Sequence, residues 1–175
     1  MDRPIVRWQI AGFLFTSILG TFLHFLFDLT GGSPIAGLFS AVNESIWEHM
    51  KLIFYPAVLF AAAEYRAWGR EIKNFRCIKL KGLLRSLVLI PAAYYTYTGI
   101  LGVNADWFNI TIFFLAALWA FRWETKAFLE DRPCRIPGWI AIAIVLIIGA
   151  LFTAFTFFPP EIPFFRDPLT ESYGI

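Results

Sequence analysis

The chain has 175 residues, 58% hydrophobic and only 16% charged, with a formal net charge of +2 and a mean hydropathy of +0.63. A soluble domain carries roughly a quarter charged residues, so composition excludes an ordinary water-soluble globule and points to one membrane-embedded all-α bundle over residues 1–175. The small net charge gives no reason to expect a nucleic-acid partner; the expected partner is the lipid bilayer.

Apolar runs of about 20 residues, without the alternation of barrel strands, predict five transmembrane helices at roughly 5–28, 44–66, 82–103, 107–127 and 138–158. The first follows Arg3 and Arg7. It exceeds a signal peptide's apolar stretch and no small-x-small cleavage site precedes His24, so it reads as a retained span. Thr30-Gly31-Gly32-Ser33-Pro34 then breaks the chain. Ser33 and Pro34 form a good N-cap and N1 pair for a short half-helix or re-entrant segment.

The second predicted span opens on Asn43-Glu44-Ser45-Ile46-Trp47-Glu48-His49-Met50-Lys51, four ionisable side chains at the head of an apolar run. Such groups are costly in a membrane helix and face a protein interior or a water-filled cavity. On a helix extended to Asn43, 100° per residue puts Glu44, Glu48, Lys51 and Tyr55 on one stripe, with His49 about 100° away. Glu48 and Lys51, three residues apart, are near enough to pair.

A basic stretch follows: Arg66, Arg70, Lys73, Arg76, Lys79, Lys81 and Arg85. Amphipathic spacing from Glu71 to Leu84 permits a short surface helix there. Lys126, Arg132 and Arg135 lie between the fourth and fifth spans, whereas connections 29–43 and 103–106 lack Lys and Arg. This asymmetry places the amino terminus in the cytoplasm and the carboxyl terminus outside, across a plasma membrane. Glu64 and Glu124, beside positive residues at the cytoplasmic boundary, read as snorkelling groups. Cys77 and Cys134 fall on the reducing side and are expected as free thiols. The tail, 159–175, is too rich in proline for helix and is expected to fold over the outer mouth.

His24 lies about one turn below the outer end of the first span, with Asp28 on the same face. Glu48 and His49 lie at similar depth on an antiparallel neighbour, so the chain's two histidines are expected to converge. The candidate ligand-binding set is Glu44, Glu48, His49, Lys51, His24, Asn43, Tyr55 and Asp106. Zinc takes imidazole and carboxylate, and a catalytic site needs three protein ligands and one open position. His24, His49 and Glu48 are the predicted metal ligands, with Glu44 or Asp106 as the alternative carboxylate. The only cofactor these residues suggest is a divalent metal such as zinc, although neither His-Glu-x-x-His nor Glu-x-x-His occurs.

Three functions follow. The first is an outward-facing carboxylate and histidine site that binds a cation, a proton or a small polar solute, for binding or transport. The second is a metal-dependent membrane hydrolase acting on a lipid or exported substrate. The third is a non-catalytic assembly partner that uses the polar seam for specificity. Five spans are few for an autonomous pore, which leaves room for a homo-oligomer.

The string from Val42 to Leu52, Val-Asn-Glu-Ser-Ile-Trp-Glu-His-Met-Lys-Leu, resembles the hallmark of a family of small bacterial multi-pass membrane proteins of unassigned function. The ending from Phe165 to Ile175 is similar to that family's carboxyl-terminal pattern. The resemblance implies a bacterial inner-membrane location and one architecture joining motif and tail. It carries no reaction, ligand or catalytic assignment.

Overall fold

Caps and breakers set the helix ends. In the computed structural model, which describes residues 2–175, the helices are α1 (Asp2–Leu29), α2 (Pro34–Gly37), α3 (Ile46–Ala67), α4 (Phe75–Leu101), α5 (Asp106–Leu129) and α6 (Gly138–Phe157). A 3-10 turn, Gly69–Glu71, links α3 to α4. Ser45 starts α3 by accepting the Glu48 amide on its hydroxyl at 3.4 Å. Gly102 ends α4 in the left-handed region at φ +67°, where a side chain would be strained. The only β feature among the described residues is an isolated bridge between Arg166 and Tyr173.

Two boundaries differ from the sequence reading. The second predicted span starts at 44, but the Ser45 cap delays α3 to Ile46 and leaves Glu44 in the preceding connection. The third starts not at 82 but at Phe75, so α4 takes in Arg76, Lys79, Lys81 and Arg85, where the spacing from Glu71 to Leu84 permitted a short surface helix. Phe75 is what anchors that extra length, stacked on Phe128 and edge-on to Trp68.

Consecutive long helices run antiparallel. α1 packs on α3 and α5, α4 packs on α5 and α3, and α6 lies against α4 and α3. The largest core cluster joins α3 to α6 through Ile53, Phe54, Leu87, Ala117 and Phe152. Gly20 brings α1 so close to α3 that an added Cβ would strike the Leu52 carbonyl.

The packing of α1 is inverted relative to a water-soluble helix. Its buried residues include Gln9, Thr16 and Ser17, while Ile10, Leu14, Ile18 and Phe22 are each more than half exposed. α1 and α6 are long and apolar enough to cross a membrane, and only 28% and 17% of their most apolar windows are buried.

The tail is non-helical and returns to the end of the bundle where α3 begins. Asn43 Nδ2 donates to the Gly174 carbonyl at 3.2 Å, the Trp47 amide to the Phe164 carbonyl at 3.3 Å, and the Ile175 amide to the Thr156 carbonyl at 3.1 Å. At the opposite end, the antiparallel pairing of α4 and α5 brings the α5–α6 connection beside the start of α4. There Cys77 and Cys134, with Cα atoms 6.2 Å apart, are joined as a disulfide, which corrects the expectation of free thiols.

Replacing Gly20 by Val should force α1 off α3 and lower the unfolding free energy by about 1–3 kcal/mol. Gly99→Ala, where no atom lies within 4 Å, should be neutral or raise it by about 0.5–1 kcal/mol. Unfolding of the purified variants measures both.

Candidate functional site

The nine residues Asn43 to Lys51 divide into separate jobs. Asn43 Oδ1 accepts the Ser45 amide at 3.0 Å, a turn that lets Ser45 cap α3 while the Asn43 amide group holds the tail. Ile46 and Met50 are core residues. Trp47 packs against Phe152, Phe155, Phe164 and Phe165, binding α3 to α6 and the tail.

Glu48 and Lys51 form a closed internal network. Lys51 Nζ lies 2.5 Å from Glu48 Oε2 and donates at 2.8 Å to both the Gly37 carbonyl and the Thr156 hydroxyl. Glu48 in turn accepts the Val42 amide at 3.1 Å on Oε2 and the Thr156 hydroxyl at 2.8 Å on Oε1. Both residues are buried, and every ammonium hydrogen has an acceptor. The network ties the α2 connection, α3 and α6 together. Tyr55, one turn beyond Lys51, lies among Phe39, Phe54 and Phe152.

His24, Glu44 and His49 form the second constellation. The histidine ring centroids are 5.3 Å apart. Glu44 bridges them, with Oε1 3.7 Å from His24 Nε2 and Oε2 3.3 Å from His49 Nε2. One ligand atom from each of the three can be chosen so that all lie within 4.8 Å of one another. His49 Nδ1 is 2.9 Å from the Ser45 carbonyl. Since that oxygen can only accept, Nδ1 carries the proton and the Nε2 lone pair faces the carboxylate in the neutral ring. Two lone-pair bearers facing each other call for a proton or a cation between them. A backbone carbonyl that fixes the tautomer is also the support that metal-ligating histidines use.

The carboxylate between the histidines is therefore Glu44. Sequence reasoning put Glu48 first, for its depth beside His49, with Glu44 or Asp106 as the alternatives. The Ser45 cap instead lets Glu44 fold over His49, and Glu48 turns to Lys51. Asp106 stands exposed in the first turn of α5 and makes no ion pair among the described residues. Beside Glu44 and His49 is a cavity of about 30 Å³ lined by Ile90, Tyr94, Asn109 and Phe113, room for about one water. Asn109 also belongs to a turn lock, accepting the Tyr97 hydroxyl at 2.5 Å and donating to Asn104 at 2.8 Å.

Sequence reasoning missed a third cluster, at the other end of the bundle. Glu64 and Glu124 are not snorkelling groups: they are 0% and 3% exposed and share Lys79 at 2.7 and 2.5 Å. Gln9 of α1 donates to Glu64 at 2.8 Å. The available signal was the polar face of α1, where Gln9, Thr16 and Ser17 interrupt an apolar helix.

The chain belongs to the family of unknown function DUF6512, which matches residues 2–175. No curated protein matches the chain, and no solved structure does.

Breaking the Glu48–Lys51 pair from one side should destabilise the protein by about 3–5 kcal/mol, because it strands a buried charge. Combining Glu48→Gln with Lys51→Met should be milder than the sum of the two single changes. Unfolding free energies of the single and double variants give the comparison.

Proposed function

We propose that this member of the DUF6512 family is a multi-pass membrane protein that binds a divalent cation of the zinc class on its outer side, through His24, Glu44 and His49. One observation carries the reading: two imidazoles and a carboxylate converge within 4.8 Å, and a backbone carbonyl fixes the tautomer of one of them. Ligands of a tetrahedral zinc stand at about 2.0–2.2 Å, hence roughly 3.3 Å from one another. The His49–Glu44 and His24–Glu44 separations of 3.3 and 3.7 Å run to the two oxygens of one carboxylate, and one ligand atom from each residue spans up to 4.8 Å. A bound ion would draw the three side chains inward to the tetrahedral spacing.

The membrane setting is supported by the inverted packing of α1 and by the exposed apolar faces of α1 and α6. Helices of 20–28 residues reach about 30–42 Å, enough for a hydrocarbon core of about 30 Å. Arg66, Arg70, Lys73, Arg132 and Arg135 gather at the end opposite the histidines. The positive-inside rule puts that end in the cytoplasm and the histidines outside; the Cys77–Cys134 disulfide lies at the same end and runs against a reducing compartment, so the assignment rests on the basic residues alone.

The same three ligands and the cavity for one water favour a second reading, a metal-dependent hydrolase with water in the open position. That chemistry needs a general base beside the water. Glu44 would be a ligand, and no other carboxylate lines the cavity. Cation binding is the better supported function.

Calorimetric titration of zinc into metal-stripped protein should show one site per chain. His24→Ala, His49→Ala and Glu44→Gln should each weaken it at least about tenfold, on the scale of losing one ligand interaction. Affinity should fall as the pH is lowered through the imidazole range, since a protonated ring cannot ligate. Equal affinity in the wild type and both histidine variants would refute the assignment.

A further inference from the structure

The Glu64–Lys79–Glu124 cluster sits 15 residues along α3 from His49, about 22 Å at the helical rise, and shares no residue with the proposed cation site. Its charges do not balance. Two carboxylates face one ammonium, and all three side chains are buried. Among the described residues, the groups facing it from each packed element do not supply the missing positive charge. α1 offers Gln9, which is neutral, and α3 adds only Tyr65. Arg76 of α4 lines the adjoining cavity with Lys79 and Glu124, but it is exposed, makes no ion pair with either carboxylate, and engages the Tyr65 hydroxyl at 2.6 Å and the Tyr65 ring at 4.7 Å. α5 sets the Phe121 ring 4.8 Å from Lys79 Nζ, and α6 contributes only apolar residues, among them Ala141 and Val145.

An unbalanced buried carboxylate costs several kcal/mol, a large share of the roughly 5–15 kcal/mol that holds an ordinary protein folded. Taking up a proton removes that cost. A second observation agrees: Glu64 Oε2 lies 2.7 Å from Lys79 Nζ yet has no hydrogen-bond donor among the described residues, because Lys79 directs its hydrogen bond to Glu124 and Gln9 Nε2 reaches only the other Glu64 oxygen. A proton on that oxygen turns an unsatisfied buried acceptor into a donor. Glu124 and Lys79 also border a cavity of about 280 Å³ between α3, α4 and α6, lined otherwise by apolar side chains apart from Tyr65 and Arg76. Gly82 makes the arrangement fit, because a Cβ there would occupy the space of the Glu124 carboxyl.

We propose that Glu64 and Glu124 share one exchangeable proton over Lys79, so that the end of the bundle opposite the histidines is a proton-binding site. Binding converts one carboxylate to a carboxylic acid and leaves a neutral cluster of one acid, one carboxylate and one ammonium. Nothing is oxidised or reduced, and the proton comes from water.

Infrared difference spectroscopy of the full-length protein in lipid tests this. Near neutral pH the wild type should show a carbonyl stretch of a protonated carboxylic acid, shifted by exchange into deuterium oxide and lost on raising the pH. Glu64→Gln and Glu124→Gln should each abolish it, since one remaining carboxylate pairs evenly with Lys79. Lys79→Met should instead strengthen it, because both carboxyls then take protons. The absence of such a band in the wild type across the pH range would overturn the proposal without recourse to any variant. So would a band undiminished in both glutamine variants, or a cluster neutralised by sodium or potassium, seen as a band that appears only when those ions are withdrawn.

Discussion

Lys51 is the constraint on which the rest of the structure depends. Its ammonium is 0% exposed, and its three hydrogens meet three acceptors on separate segments: the Gly37 carbonyl, the Thr156 hydroxyl and the Glu48 carboxylate. An ion pair at this depth is not favourable in itself. What it achieves is specification. It fixes where the irregular chain between α1 and α3 lies, because Gly37 and Val42 supply the carbonyl and amide that complete the network. Once that connection is held against α3 and α6, the Glu44 backbone lies where its half-exposed carboxylate reaches both His24 and His49.

The tail is the second clasp on the same segment. Asn43, Trp47 and Thr156 each bond it through the backbone or an amide group, while Phe164 and Phe165 close on the Trp47 ring. Motif and tail are therefore one structural unit, although more than 100 residues separate them. The opposite end of the bundle uses a different device. There the Glu64, Lys79 and Glu124 cluster joins α3, α4 and α5, with Gln9 bringing in α1. Each end of an otherwise apolar bundle is thus organised by one buried lysine. One is fully balanced by its partners, and the other is outnumbered by carboxylates.

Much of the fold was legible because it is local. Run length sets the number of long helices, prolines and glycines mark their breaks, and antiparallel succession brings His24 and His49 to one level. What the sequence concealed depends on partners from elsewhere in the chain. The stripe through Glu44 and Glu48 assumed a helix starting at Asn43, whereas the Ser45 cap starts it three residues later, at Ile46, and sends the two acids to different places. Glu64 and Glu124 looked like boundary groups because their sequence neighbours are basic, yet their counter-ion comes from a third helix. The pairing of Cys77 with Cys134 across 57 residues likewise follows from helix packing, not from spacing.

The central claim is that the connection before α3 delivers a carboxylate to two imidazoles in a geometry suited to a metal ion. X-ray absorption at the zinc edge of the zinc-loaded, full-length protein tests it most directly. The account predicts a first shell with two imidazole nitrogens and at least one carboxylate oxygen at about 2.0–2.2 Å. A shell without imidazole scattering, or one unchanged when His24 and His49 are both replaced by alanine, would contradict it.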